Sequence, residues 1–183
     1  MSGLAAHSYF SLTKYILMLL KNTRRLTMKL FKIDMASDKQ LIQEYVNMYL
    51  DLINLHYEAA ALQGIFDAEC DEKTKEDAID KLKNPDIQIE LLCDHTEVVG
   101  YVKYKTDNTE TAHMKVNDED TGIHIDQLYI KEAWRRMGYG TYIMQSLQAI
   151  NKKISLDCYY SLDANDFYQK IGFKPVIQTY LWF

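Results

Sequence analysis

The residues best suited to chemistry are Arg135-Arg136-Met137-Gly138-Tyr139-Gly140-Thr141, which follow an apolar strand-like run and open a helical one. In the first turn of a helix the backbone N–H groups have no helical acceptor and point the same way, and the helix dipole favours negative charge there. Glycine at 138 and 140 lets a phosphate approach the backbone and permits positive φ. The two arginines add charge to the same spot. The stretch reads as a pyrophosphate cradle, set against the plainer reading of a surface turn that starts a helix. Two familiar cradles are excluded. The Walker pattern needs Gly-Lys-Ser/Thr, which is absent, and the dinucleotide fingerprint needs a third glycine where Ile143 stands.

Ionisable residues cluster around this stretch. On the preceding strand His124 and Asp126 alternate, onto one face with Leu128. Asp157 lies on the next strand. Tyr168 shares a helical face with Ala164, Phe167 and Ile171, so the sequence alone favours core packing for it. Cys158 is adjacent to Asp157, but no base beside it is evident, and a buried strand cysteine is the preferred reading over a covalent relay.

The elements that position these residues follow from periodicity. Lys29 to Ile33 alternates as a short strand. Ser37-Asp-Lys-Gln40 reads as a capping box, and Leu41, Tyr45, Met48, Leu52 and Leu55 then form one helical face. A shorter helix spans Lys75 to Lys83 and stops at Asn84-Pro85. Ile87 to Cys93 and Val98 to Lys105 form a hairpin about Asp94-His95-Thr96-Glu97. After an acidic loop from Asp107 to Thr121 come strand Ile123 to Ile130, a helix from about Gly138 to Asn151 and strand Ile154 to Cys158. Helix Ala164 to Ile171 ends at Gly172, and Val176 to Phe183 closes the sheet. The order β-α-α-β-β-β-α-β-α-β gives an α/β (α+β) fold, a mixed and mostly antiparallel sheet flanked by helices.

A chain of 183 residues that is 48% hydrophobic has the length and the apolar content for one domain with a real core. One domain, 28–183, is read, preceded by an N-terminal extension, 1–27. In the extension the apolar run Tyr15 to Leu20 is flanked by Lys14, Lys21, Arg24 and Arg25. It is too short to span a bilayer and lacks a secretory cleavage pattern. It reads as a short amphipathic helix, a weak interfacial anchor or non-native upstream sequence. A net charge of −5 gives no basic field for nucleic acid and suits a cationic substrate. Cys70, Cys93 and Cys158 have no metal-ligand spacing, which points to reduced thiols in a cytoplasmic protein with no metal.

Arg-x-x-Gly-x-Gly at 135–140 after Gln127-Leu128-Tyr129-Ile130 resembles the acetyl-CoA signature of the GNAT superfamily of N-acetyltransferases. Ala164-Asn165-Asp166-Phe167-Tyr168-Gln169-Lys170-Ile171-Gly172-Phe173 resembles that family's Ala-x-x-Phe-Tyr-x-Lys-x-Gly-Phe block. The resemblance covers about Met28 to Phe183 and is weakest before Ile87. It implies direct transfer of acetyl from acetyl-CoA to a primary amine, on a small molecule or a protein, in a ternary complex. No nucleic-acid partner or stable membrane insertion is expected, and a homodimer is compatible. Leu128, Tyr129 and Ile130 would pair through their backbone with the pantetheine arm. Arg135, Arg136, Gly138, Tyr139, Gly140 and Thr141 would surround the pyrophosphate, and Tyr168 would protonate the departing thiolate. A phenol near the leaving sulfur suits that role. The family's usual asparagine is Ser161 here, and Asn165 or Ser161 would replace its contact. For the base, His124 matches the position of a catalytic glutamate in some members and Asp157 an acidic residue in others, with Asp126 a third candidate. The alternative is a CoA-binding regulatory module without turnover.

Overall fold

In a computed structural model, residues 27–61, 72–106, 122–151, 153–158 and 164–175 are described. Among them five strands form one sheet in the order β1-β2-β3-β4-β5. β1 is Met28–Lys32, β2 Ile87–Asp94, β3 Glu97–Lys105, β4 Ile123–Ile130 and β5 Ile154–Leu156. The first four pair antiparallel, and β4–β5 pair in parallel. Four helices flank the sheet: α1 Lys39–Ala61, α2 Glu72–Lys83, α3 Tyr139–Ile150 and α4 Ala164–Lys170. The mixed, mostly antiparallel sheet read from the sequence is present. The expected closing strand at 176–183 and the acidic loop at 107–121 lie outside the described residues.

Two apolar layers hold the helices to the sheet. Side chains alternate along each strand, so neighbouring residues such as Leu91 and Leu92, or Tyr101 and Val102, serve opposite layers. One layer packs Tyr45, Met48, Tyr49 and Leu52 of α1 and Ala78 of α2 onto Leu91, Tyr101 and Tyr129. Tyr45 meets Tyr101 edge-on at 5.1 Å between ring centroids. The other layer packs Tyr139, Ile143, Met144 and Leu147 of α3 onto Leu92, Val102 and Ile125. Central β3 is covered on both faces, which is why Val98 to Tyr104 is buried throughout, Lys103 included.

Asp34, not Ser37, organises the start of α1. The Asp34 carboxylate accepts the Ser37 hydroxyl at 2.7 Å and the Ala36 N–H at 2.9 Å. The helix begins one residue later than the capping box required: Ile42 N–H donates to the Asp38 carbonyl, and the Asp38 carboxylate accepts the Asp34 N–H at 3.0 Å. The Ser37 hydroxyl donates to the Asp34 carboxylate in a charge-assisted bond, and Asp38 takes the place at the helix start that the capping box gave to Ser37.

Thr27, read as the last residue of the extension, is tied to the tip of the β2–β3 hairpin. Its hydroxyl donates to Asp94 at 2.6 Å. Asp94 is 7% exposed and also accepts the Tyr139 hydroxyl at 2.5 Å. Burial pushes its carboxyl up, but bonds from Thr27, Tyr139 and His95 outweigh this and hold it below the usual aspartate range. The hairpin tip therefore fastens the start of α3, where the glycine-arginine stretch lies.

Candidate active site

The site opens where β4 and β5 part. They pair only over Ile123–Ile125 with Ile154–Leu156. Opposite β3 the register shifts between Lys103 and Tyr104, leaving Asp126 as an extra residue in β4. This bulge resets the alternation. Ile125 and Leu128 both pack toward α3, whereas Gln127 reaches Tyr101 on the α1 side. His124 and Asp126 therefore do not share a face with Leu128 as simple alternation required.

Past the bulge, β4 presents an open backbone edge. The Lys131 N–H donates toward β3, to Val99. Strand alternation then turns the backbone groups of Ile130 and Leu128 away from β3 and toward that edge. The Ile130 carbonyl accepts Arg135 Nε at 3.0 Å, and the guanidinium lies 5.6 Å from the Tyr129 ring centroid. Arg135 thus braces the turn on the α1 side of the sheet, so the expectation that both arginines face the start of α3 is corrected. Tyr129 points its ring into the α1 layer and its hydroxyl to Asp51 at 3.2 Å.

The start of α3 has the backbone geometry of an anion cradle. Arg136 has φ +64° and Gly138 φ +94°, two left-handed residues that turn the chain sharply into the helix. The first helical bond runs from Tyr142 N–H to the Gly138 carbonyl at 2.9 Å. The N–H groups of Tyr139, Gly140 and Thr141 precede it and aim out of the helix end. A Cβ on Gly138 would meet nothing within 4 Å, so the backbone there is open to an approaching group. Gly140 has another reason to be glycine: a Cβ would lie 3.1 Å from the Phe167 ring, and its absence lets α4 close on α3. Tyr139 is 1% exposed and its hydroxyl is held by Asp94, so only its backbone reaches the cradle.

A cavity of about 440 Å³ occupies the parting of the strands. Ala164 and Tyr168 of α4 and Leu128 of β4 line it from the α3 side. Leu52 and His56 of α1, Lys103 of β3 and Asp126 line it as well, and Asp157 and Cys158 close it beyond β5. Of the four catalytic candidates, Tyr168, Asp126 and Asp157 come together here. His124 does not line it: it bonds Ser155 Oγ at 3.0 Å and stands 3.7 Å behind Asp126. Asn165 does not line it either, its amide oxygen accepting Gln169 at 3.2 Å along α4, and Ser161 lies outside the described residues. Missed in the sequence were His56 and Lys103, which have no motif to mark them.

Electrostatics differ along the walls. Burial, and secondarily the Cys158 sulfur, raise the Tyr168 phenol well above the usual tyrosine value, so it keeps its proton. Its ring is fixed between Phe167 and Phe173, at 5.1 and 5.8 Å. Cys158 is exposed past the end of β5, not buried in a strand as the sequence suggests, and desolvation raises its thiol above the usual cysteine value. Lys103 is only 5% exposed; burial lowers its pKa, against the pull of Asp126 at 3.6 Å. Burial also lowers His56, favouring neutral imidazole. Among the described residues no group of three His, Cys, Asp or Glu is placed to hold a metal ion, and no helix is long and apolar enough to cross a membrane.

Residues 88–175, which include β4, the cradle and α4, match the family model described as Acetyltransferase (GNAT) domain. Over these residues the chain carries a GNAT acetyltransferase domain, the domain of an acyltransferase. Solved structures share the fold at low identity. The aminoglycoside N-acetyltransferase AAC(6′)-Iy in complex with CoA is 13% identical, with TM-score 0.59 over 85% of this chain and 93% of that one. The same enzyme with a CoA-linked bisubstrate analogue gives 12% and 0.58 over 85% and 96%. A Clostridium difficile 630 protein described as a possible acetyltransferase gives 13% and 0.61 over 85% and 97%. No curated protein sequence matches significantly.

Proposed function

We propose that this protein transfers the acetyl group of acetyl-CoA to a primary amine by direct attack in a ternary complex. The observation that carries the proposal is the cavity at the β4–β5 parting, which joins Tyr168 and the open β4 edge to Asp126 and Asp157. The residues present fit the donor. The backbone of Leu128 and Ile130 would bond the extended arm, and Gly138 to Thr141 with Arg136 would hold the pyrophosphate at the helix start. The CoA-bound relatives agree with this donor.

On the acceptor side, Asp126 and Asp157 offer negative charge to an incoming ammonium group. Once deprotonated, the amine nitrogen attacks the thioester carbonyl and the carbon–sulfur bond breaks. Tyr168, whose proton is firmly held before reaction, supplies it to the sulfur as charge develops there. Cys158 is given no part as a relay, in keeping with a thiol that desolvation raises above the usual cysteine value. The acceptor amine is carried on either a small molecule or a protein side chain. Thiol release from acetyl-CoA, measured with a panel of amines, tests the proposal. Amine-dependent release with intersecting initial-rate lines is expected. CoA binding with no release on any amine would reduce the protein to a binding module.

A further inference from the structure

We propose that His56 is the proton acceptor of the reaction, taking the proton that the acceptor ammonium must lose. The inference rests on the acetyl-transfer reading above and adds a residue to it. His56 lies near the end of α1 and enters the cavity from the α1 face of the sheet, one turn beyond Leu52. Tyr168 enters the same cavity from the α4 face. The group that removes a proton from the nucleophile and the group that gives one to the leaving sulfur therefore flank the reacting centre from opposite sides. That is the arrangement a concerted transfer needs, because the entering nitrogen and departing sulfur occupy different sides of the carbonyl carbon.

Chemistry selects His56 among the lining groups. An alkylammonium acceptor has a pKa of about 10, so it needs a base that is both neutral and competent near neutral pH. Imidazole is the side chain that titrates there. The charged and titratable groups that line the cavity together with His56 are Lys103 on β3, Asp126 on β4, Asp157 and Cys158 beyond β5, and Tyr168 on α4. Lys103 stands beside Asp126, 3.6 Å away, and engages that carboxylate. Cys158 and Tyr168 hold their protons, for desolvation raises both. His124, the histidine singled out by the sequence, is turned to Ser155 outside the cavity wall. Burial keeps His56 neutral to lower pH than an exposed histidine.

The proton balance closes. The ammonium gives one proton to His56, and the neutral nitrogen adds to the carbonyl carbon. The carbon–sulfur bond breaks with the sulfur taking its proton from Tyr168, and the second proton leaving nitrogen restores the phenol. His56 releases its proton to water. The sum is one amide, one CoA thiol and one proton.

The test compares wild type, His56→Gln and His56→Asn in thiol release with the best amine of the panel, across pH, with acetyl-CoA affinity measured by calorimetry. His56→Gln should lower kcat by roughly 10²-fold and leave acetyl-CoA affinity unchanged. It should also remove the acid limb that in wild type falls at or below pH about 6.5. A second measurement holds even if the variants fail to fold: NMR titration of His56 in wild type must coincide with that limb. A variant with wild-type kcat and pH profile, or a limb that does not follow His56, overturns the proposal while leaving acetyl transfer intact. A wild type that releases no thiol with any amine overturns the acetyl-transfer reading itself, and this assignment with it.

Discussion

Gly100 should be the least replaceable residue of the sheet, and Gly100→Ala measures how closely β3 and β4 approach. It pairs with Ile130 at the end of β4 that carries the open edge. A Cβ there would collide with the Tyr129 carbonyl oxygen and lie 2.7 Å from Ile130 Cδ1. The isoleucine methyl can rotate away, but a strand carbonyl cannot. Relief therefore requires β4 to move from β3. Overpacking of a tight core costs about 1–3 kcal/mol, and a backbone obstacle puts this case near the upper end. At about 2–4 °C per kcal/mol for a chain of this size, Tm should fall by about 6–12 °C. Thermal unfolding followed by circular dichroism reads the shift. Because the displaced strand is the one proposed to hold the donor's arm, CoA affinity measured below the transition should fall as well. A Tm within about 2 °C of wild type would refute the close approach and the reasoning built on it.

Tyr168→Phe keeps the ring between Phe167 and Phe173 and loses only the hydroxyl, so stability should barely change while kcat falls about 10²-fold. A destabilised protein with normal kcat would return Tyr168 to the core. Arg136→Ala with Gly138→Asp should abolish measurable CoA binding by calorimetry, because a carboxylate would face the phosphates; unchanged binding would remove the cradle. Asp94→Asn should flatten stability against pH. The folded pKa of Asp94 is depressed, so its contribution is full above the ordinary value of about 3.9 and is lost as pH falls through the folded value. Urea unfolding of wild type and variant from pH 7 downward should therefore show the gap narrowing only in the acid range. A constant gap would show that Asp94 is not held as a carboxylate.

Local signals carried much of the fold. The alternation of β4, the glycines that open α3 and the periodicity of α4 lie within short windows, and the helices and strands follow them closely. The features that went unread depend on pairing across the chain. The Asp126 bulge exists only relative to Lys103 and Tyr104 on β3, so strict alternation put His124 and Asp126 on the wrong face. Gly140 must also be small because Phe167 packs over it, and that contact spans two helices. Tyr139 reads as part of a phosphate motif, yet its side chain belongs to the core because the hairpin tip supplies Asp94. His56 is invisible to motif reading, for it joins the cavity only when α1 packs across the sheet from Tyr168.

The most direct test of direct transfer through this cavity is to follow the acetyl group itself. Acetyl-CoA carrying an isotopic label in its acetyl group is mixed with the protein and an accepted amine, quenched within one turnover, and both amine and protein are examined by mass spectrometry. Attack by the amine on the bound thioester predicts label in the N-acetylated amine and none on the protein at any time. Label appearing first on Cys158 and then on the amine would contradict the account.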